Sequence, residues 1–231
     1  TDRARPASGA AVCQVLDALL RSSTEGAIEP AVLNPLERLS AGVFVGRGAE
    51  LATLRLAVES AIAGQRQIVL LGGEPGIGKT RLSEQLSTYG KLRRAAVYWG
   101  RCSEDDGAPA FWAWTQILRA LAKSVDDATL REDVGEDCAR IAEILPEIRK
   151  RLGDEATHAS NPEPTRLELF EAIASWMRRS AQRAPLLMLL DDLQWADEPS
   201  VLLMQHLAEA LREARVMIAG TYRDAEIGHQ H

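Results

Sequence analysis

The chain has 231 residues, 46% hydrophobic and 26% charged, with a net charge of −6. That is enough for one α/β domain with a full core plus a tail, and the acidic balance argues against a chain-wide nucleic-acid surface. Cys13, Cys102 and Cys138 are far apart and odd in number, which argues against a disulfide framework and fits a reducing, cytoplasmic setting. The four histidines lack metal-ligand spacing, and no apolar run is long enough to span a bilayer.

Residues 1–42 read as an appendage. Val12, Val15, Leu16, Leu19 and Leu20 predict one amphipathic helix, and Gly26, Pro30 and Pro35 mark a linker. The core is expected over residues 43–231. The chain begins at Thr1 rather than Met, as a piece of something longer would.

Leu51, Leu54, Val58 and Ile62 predict a helix that runs into Gly64. Residues 68–71 are a short apolar run, as a buried parallel strand would be. The octet from Gly73 to Thr80, GEPGIGKT, then fits G-x-x-x-x-G-K-[ST], and Leu82, Leu86 and Tyr89 follow at helical spacing. Strand, glycine loop, helix is the arrangement that cradles phosphate. The glycines let successive backbone N–H groups point inward, and the positive end of the next helix adds to the field. The expected nucleotide-binding set here is Gly73, Glu74, Pro75, Gly76, Ile77, Gly78, Lys79, Thr80 and Arg81. Lys79 would reach the β and γ phosphates, and the Thr80 hydroxyl would sit on Mg²⁺.

Residues 96–99 predict a second strand, closed by Gly100. A mostly helical stretch follows. Residues 111–122 form one helix, and Ile141, Ile144, Leu145 and Ile148 mark another, kinked or restarted at Pro146. Residues 155–164 are a polar loop. Thr165 and Glu168 form a capping box for a helix through Phe170, Ile173 and Met177. Residues 186–190 are a strongly buried strand, Pro199 starts a helix striped by Met204, Leu207 and Leu211, and residues 216–219 are the last strand. The five tryptophans are expected to pack in the core. The alternation predicts an α/β fold, a parallel sheet sandwiched by helices, with ligands beyond the carboxyl ends of the strands.

The strand at 186–190 ends in two acids. A protein with a phosphate loop needs a carboxylate there to hold Mg²⁺, assigned to Asp191, and a second acid to orient or deprotonate the attacking water, assigned to Asp192. Arg223, just past the last strand, would point at the γ-phosphate region and report its presence.

Four segments together resemble one family: Phe44-Val45-Gly46-Arg47 with Glu50-Leu51, GEPGIGKT, GAPAFWAWTQILRAL, and LLMLLDDLQWADEPS followed by GTYRD. They resemble the AAA-type P-loop ATPase domain of STAND signalling ATPases, in particular that of large LuxR-family transcriptional regulators and of multidomain proteins with an adenylate cyclase module. The resemblance runs from Val43 onward. It implies that Val45, Gly46 and Arg47 lie by the adenine, so that ATP is preferred over GTP. It matches Asp191 and Asp192 to the family's acidic pair, Arg223 to its sensor arginine, and Trp195-Ala196-Asp197 to its W-A-D. Gly48 departs from the acid that usually follows V-G-R.

The resemblance also implies a nucleotide-dependent switch with slow turnover, which would self-associate to display an effector. The helical, winged-helix, sensor and effector parts that follow such cores are absent from this sequence. The core itself stops before its last strand, which would leave the phosphate-loop strand at an exposed edge. The expected activity is ATP hydrolysis with Mg²⁺, by a regulatory domain that touches neither membrane nor nucleic acid directly. The alternatives are a nucleotide-holding module that barely turns over, discriminated by Asp192→Ala, and a motor-type ATPase. The motor would need a trans-acting arginine finger and a basic face, and the charge balance is against the face.

Overall fold

Four apolar stretches build the sheet. A computed structural model of the chain describes residues 47–105, 107–153 and 165–223. The strands are β1 (Gln67–Leu71), β2 (Ala96–Arg101), β3 (Leu186–Asp191) and β4 (Val216–Thr221). They pair in the order β1-β4-β3-β2, all parallel. Parallel strands need crossovers, and helices supply them on both faces.

The two faces follow the period of two. Leu186, Met188 and Leu190 of β3, with Val216 and Ile218 of β4, belong to one core. Leu187, Leu189, Met217 and Ala219 belong to the other. The smaller core is covered by α1 (Gly48–Ile62) and α2 (Lys79–Leu92), whose Leu54, Val58, Leu82 and Leu86 are buried. The larger core is covered by α3 (Trp112–Lys123), α7 (Arg166–Arg183) and α8 (Glu198–Ala210), with the short helices α4 (Asp127–Val134), α5 (Cys138–Ile141) and α6 (Glu147–Leu152) outside them.

The central strands β3 and β4 are buried almost throughout, whereas every residue of β1 is half-buried. Among the described residues β1 pairs with β4 alone, so the phosphate-loop strand is at the sheet's edge.

Several local expectations hold, with sharper edges. Thr165 and Glu168 close the capping box on α7, with Thr165 N–H donating to Glu168 Oε2 at 2.7 Å. Pro146 separates α5 from α6, the restart expected of a residue that cannot continue a helix. Trp114 and Trp176 are buried at 1% and 0%, and the half-buried Trp195 and Trp99 pack against the larger and the smaller core, so core packing accounts for four of the five; Trp112 is half-buried.

One boundary is a correction. Gly100 does not close β2; the strand continues through it to Arg101. Gly100 is there because α3 lies so close that a Cβ would stand 2.2 Å from the Ala113 carbonyl oxygen. The helix and linker expected within residues 1–42 and the loop expected at 155–164 lie outside the described residues.

Candidate functional site

The carboxyl ends of the four strands share one row. Leu71 is in register with Thr221, and Arg101 with Asp191. Tyr222 N–H donates to Leu71 O at 3.1 Å, which ties the exit of β4 to the start of the glycine loop. The loop and the acid pair therefore rise from the same edge, separated by β4.

The loop takes its curl from three glycines in the left-handed region: Gly73 at φ +150°, Gly76 at +78° and Gly78 at +98°. A side chain at these angles would be strained. A Cβ on Gly76 or Gly78 would meet no atom within 4 Å, so the loop borders open space. Gly78 is the residue before α2, and Lys79 is the first residue of that helix. The Lys79 ammonium donates to Gly73 O at 2.6 Å and to Glu74 O at 3.0 Å. It is already folded back over the loop, where an anion on the backbone amides would offer it new acceptors. Thr80 and Arg81 are exposed in the first turn of α2, and Glu74, Pro75 and Ile77 are exposed on the loop. Arg47 immediately precedes α1 and accepts the Leu51 N–H at 3.2 Å through its carbonyl. Val45 and Gly46 lie outside the described residues.

Opposite the loop, Thr221 joins the two acids. Its hydroxyl donates to Asp191 Oδ1 at 2.5 Å and accepts the Asp192 N–H at 3.0 Å. Asp192 sits at φ 60°, ψ 48°, an uncommon conformation for a non-glycine residue, and opens the 3₁₀ turn Leu193–Trp195. Its Oδ2 accepts from Arg101 Nε at 3.1 Å and Nη2 at 2.9 Å. Its Oδ1 accepts from Gln194 Nε2 at 3.0 Å and lies 4.0 Å from Arg223 Nη2. Arg223 thus faces the second acid across a pocket of about 400 Å³, walled also by Arg101, Gln116, Trp112 and Trp195.

Three of these contacts were not foreseen from sequence. Arg101 was hidden behind the supposed strand end at Gly100. Thr221 was readable as the first hydroxyl after an apolar strand, and Gln194 as a polar residue inside the turn after the acids. Asp197 gains a role as well. It caps α8, accepting the Ser200 N–H at 2.9 Å and hydroxyl at 2.7 Å, and it accepts the Phe111 N–H at 3.2 Å. It thereby fastens the start of α3 to the turn after β3. Trp114 adds a second fastening, donating Nε1–H to Ser200 O at 2.9 Å.

Cys102 lies beside the acids, with its N–H on Asp191 O at 3.0 Å. Burial pushes its thiol up to about 12, and the Asp197, Asp192 and Asp191 carboxylates push in the same direction. It is inert as a nucleophile at neutral pH. Among the described residues no cluster of three or more His, Cys, Asp or Glu side chains could hold a metal on its own. A divalent ion here would need phosphate oxygens and water beside Thr80 and Asp191, which is how Mg²⁺ is ordinarily held. The donor set is all oxygen and fits it. No helix among the described residues is long and apolar enough to cross a membrane.

The family model of the AAA ATPase domain matches residues 43–219. The chain belongs to that family. An AAA ATPase domain with this loop and edge is a nucleotide-binding α/β unit, and the fold read from the sequence is the one observed. The chain is also 22% identical over 196 residues to "Uncharacterized protein R02095" of Rhizobium meliloti (strain 1021). That match covers 79% of this AAA domain chain and 19% of the relative, so the chain spans about a fifth of that protein's length.

Proposed function

We propose that this AAA domain binds ATP with Mg²⁺ and hydrolyses it slowly, as the nucleotide switch of a larger signalling or transcriptional regulator. The observation that carries the reading is the shared edge. The glycine loop with Lys79 and the acid pair rise from one row of strand ends, with Thr221 between them.

In this reading the backbone N–H groups of residues 73–80, Pro75 excepted, and the Lys79 ammonium hold the phosphates. Thr80 and Asp191 would hold Mg²⁺, which when bound neutralises charge on the β and γ phosphates. Asp192 takes the proton of the attacking water, and Arg223 contacts the γ-phosphate and senses its loss. Arg47 would lie along the adenine, as the family resemblance implies. Slow turnover is supported by the state of Asp192, whose Oδ2 is engaged by the Arg101 guanidinium. The place in a longer, self-associating regulator is supported by the resemblance to STAND ATPases and by the small share of the relative that the chain spans.

The test is ATP titration with and without Mg²⁺ on wild type and Lys79→Ala. We expect the variant to fold normally and to lose ATP affinity by about tenfold or more, as removal of a charge-assisted contact does. Unchanged affinity would remove the assignment. A second reading, a module that holds ATP without turnover, is favoured by the Arg101–Asp192 pair. Equal phosphate release from wild type and Asp192→Ala would select it.

A further inference from the structure

Gln194 has no part in the reading above, and its surroundings are unusual. It is 8% exposed, in the turn that follows Asp192. Its Nε2 donates to Asp192 Oδ1 at 3.0 Å. Its Oε1 is buried and meets no donor among the described residues. An amide satisfied at one end only is a poor choice for stability, because the buried oxygen gives up water and gains nothing. An apolar side chain of similar length would fill the space without that cost.

The satisfied end does what an apolar side chain cannot. The backbone of Asp192 is fixed in the left-handed region, with its N–H on Thr221 and its carbonyl accepting the Trp195 N–H at 2.9 Å. The remaining freedom is the direction of the carboxylate, set by whatever holds its two oxygens. On Oδ2 the holder is Arg101, whose side chain is 71% exposed, so water and salt weaken that grip. Arg101 also stands on β2, on the far side of β3 from β4 and the loop strand. On Oδ1 the hydrogen-bonding holder is the amide of Gln194, a residue that solvent barely reaches, with the Arg223 guanidinium farther off at 4.0 Å.

We propose that Gln194 is a positioning residue for hydrolysis: it aims the Asp192 carboxylate, and it does so at the expense of its own unmet oxygen. The inference rests on Asp192 as the general base. A base must come within hydrogen-bond reach of the proton it takes, so a carboxylate free to swing is a slower base. Binding of ATP, which depends on the loop across β4, does not involve Gln194.

The experiment measures kcat, KM, ATP affinity by direct titration, and Tm for wild type, Gln194→Leu, Asp192→Asn and the double variant. Gln194→Met is made in parallel, so that a folding failure of one substitution leaves the other to decide. The expected result for Gln194→Leu is a fall in kcat of about tenfold, from misaiming the base. Its ATP affinity stays within about twofold of wild type, because the loop contacts are untouched. Its Tm is unchanged or higher. The double variant turns over no more slowly than Asp192→Asn alone, since Gln194 acts through that carboxylate. Wild-type kcat in the Gln194 variants beside a slow Asp192→Asn would overturn this inference and leave the ATPase reading intact. So would a double variant slower than Asp192→Asn by the full Gln194→Leu factor, or a collapse of Tm in both substitutions, either of which makes the residue merely structural. Wild-type turnover in Asp192→Asn would overturn the base assignment itself and this inference with it.

Discussion

Thr221 donates its hydroxyl to Asp191 Oδ1 at 2.5 Å, and the same oxygen accepts the N–H of Asp192 at 3.0 Å. One side chain, 3% exposed at the end of β4, thus holds the carboxylate of one acid and the backbone of the next. Thr221→Val keeps the shape and removes both bonds. Leaving such partners unmet costs about 1–3 kcal/mol. The urea midpoint should fall with an unchanged slope, and the Mg²⁺ dependence of ATP binding should weaken; Thr221→Ser should restore both. A valine variant with the wild-type midpoint and metal dependence would strip Thr221 of this role.

Two arginine–carboxylate pairs in this fold look alike on paper and differ in burial. Arg101 meets Asp192 with a side chain 71% exposed. Asp133, 2% exposed, accepts from both terminal nitrogens of Arg183 and from the Ser180 hydroxyl at 2.8 Å, pinning α4 to α7. Donating to the Asp133 carboxylate, set against partial burial, holds the Arg183 guanidinium above its ordinary range. Arg101→Ala should change stability by less than about 1 kcal/mol, as exposed pairs do. Asp133→Ala should cost about 2–3 kcal/mol, the modest end for such a pair because Arg183 keeps contact with water. Chemical denaturation of the two variants measures the difference, and equal shifts would contradict this ranking.

The strong signals in the sequence were those with a period or a fixed spacing. The strand before the loop, the glycine octet, the capping box at Thr165 and the acids after residue 190 could all be read because local chemistry dictates them. What stayed hidden depends on tertiary contact. Gly100 reads as a strand end by propensity, yet it lies inside β2 because α3 needs its missing Cβ. That misreading concealed Arg101, the next residue. Asp197 matched a familiar W-A-D without a mechanism, because its work is a long-range bond to the Phe111 N–H as well as a local cap. The left-handed backbone of Asp192 has only a weak signature in the residue type, since aspartate enters that region more readily than most side chains but does so at few of its positions.

Gly100→Ala tests the close approach directly. The new Cβ would meet the Ala113 carbonyl oxygen at 2.2 Å and Ile117 Cδ1 at 3.2 Å, and a backbone oxygen cannot rotate away. α3 must then lift from β2, an overpacking cost of about 1–3 kcal/mol or more. The same helix carries Gln116, whose Nε2 donates to Arg101 O at 3.0 Å and whose Oε1 accepts the Arg101 N–H at 3.3 Å, closing the outer edge of β2. At about 2–4 °C per kcal/mol for a chain of this size, calorimetry should find Tm lowered by several degrees. An alanine variant as stable as wild type would mean that α3 has room to spare.

Alkaline pH should weaken the fold through Cys102. Its thiol titrates near 12 in the folded chain, raised first by burial and then by the Asp197, Asp192 and Asp191 carboxylates, against an ordinary value of 9. Below pH 9 the proton is bound in both states and stability does not depend on this group. Between about 9 and 12 the unfolded chain releases the proton while the folded chain keeps it. The unfolded state then binds fewer protons, so stability falls with rising pH, by at most about 1.4 kcal/mol per pH unit for one group. Cys138, raised by its own burial, adds in the same direction. Cys102→Ser tests this: its serine does not titrate in this range, so its stability profile should be flatter than wild type above pH 9. The same shift makes the thiol slow to alkylate. With Cys13 replaced by serine, iodoacetamide at pH 8 should label the native chain far more slowly than the urea-unfolded one, and equal rates would mean that Cys102 is neither buried nor raised.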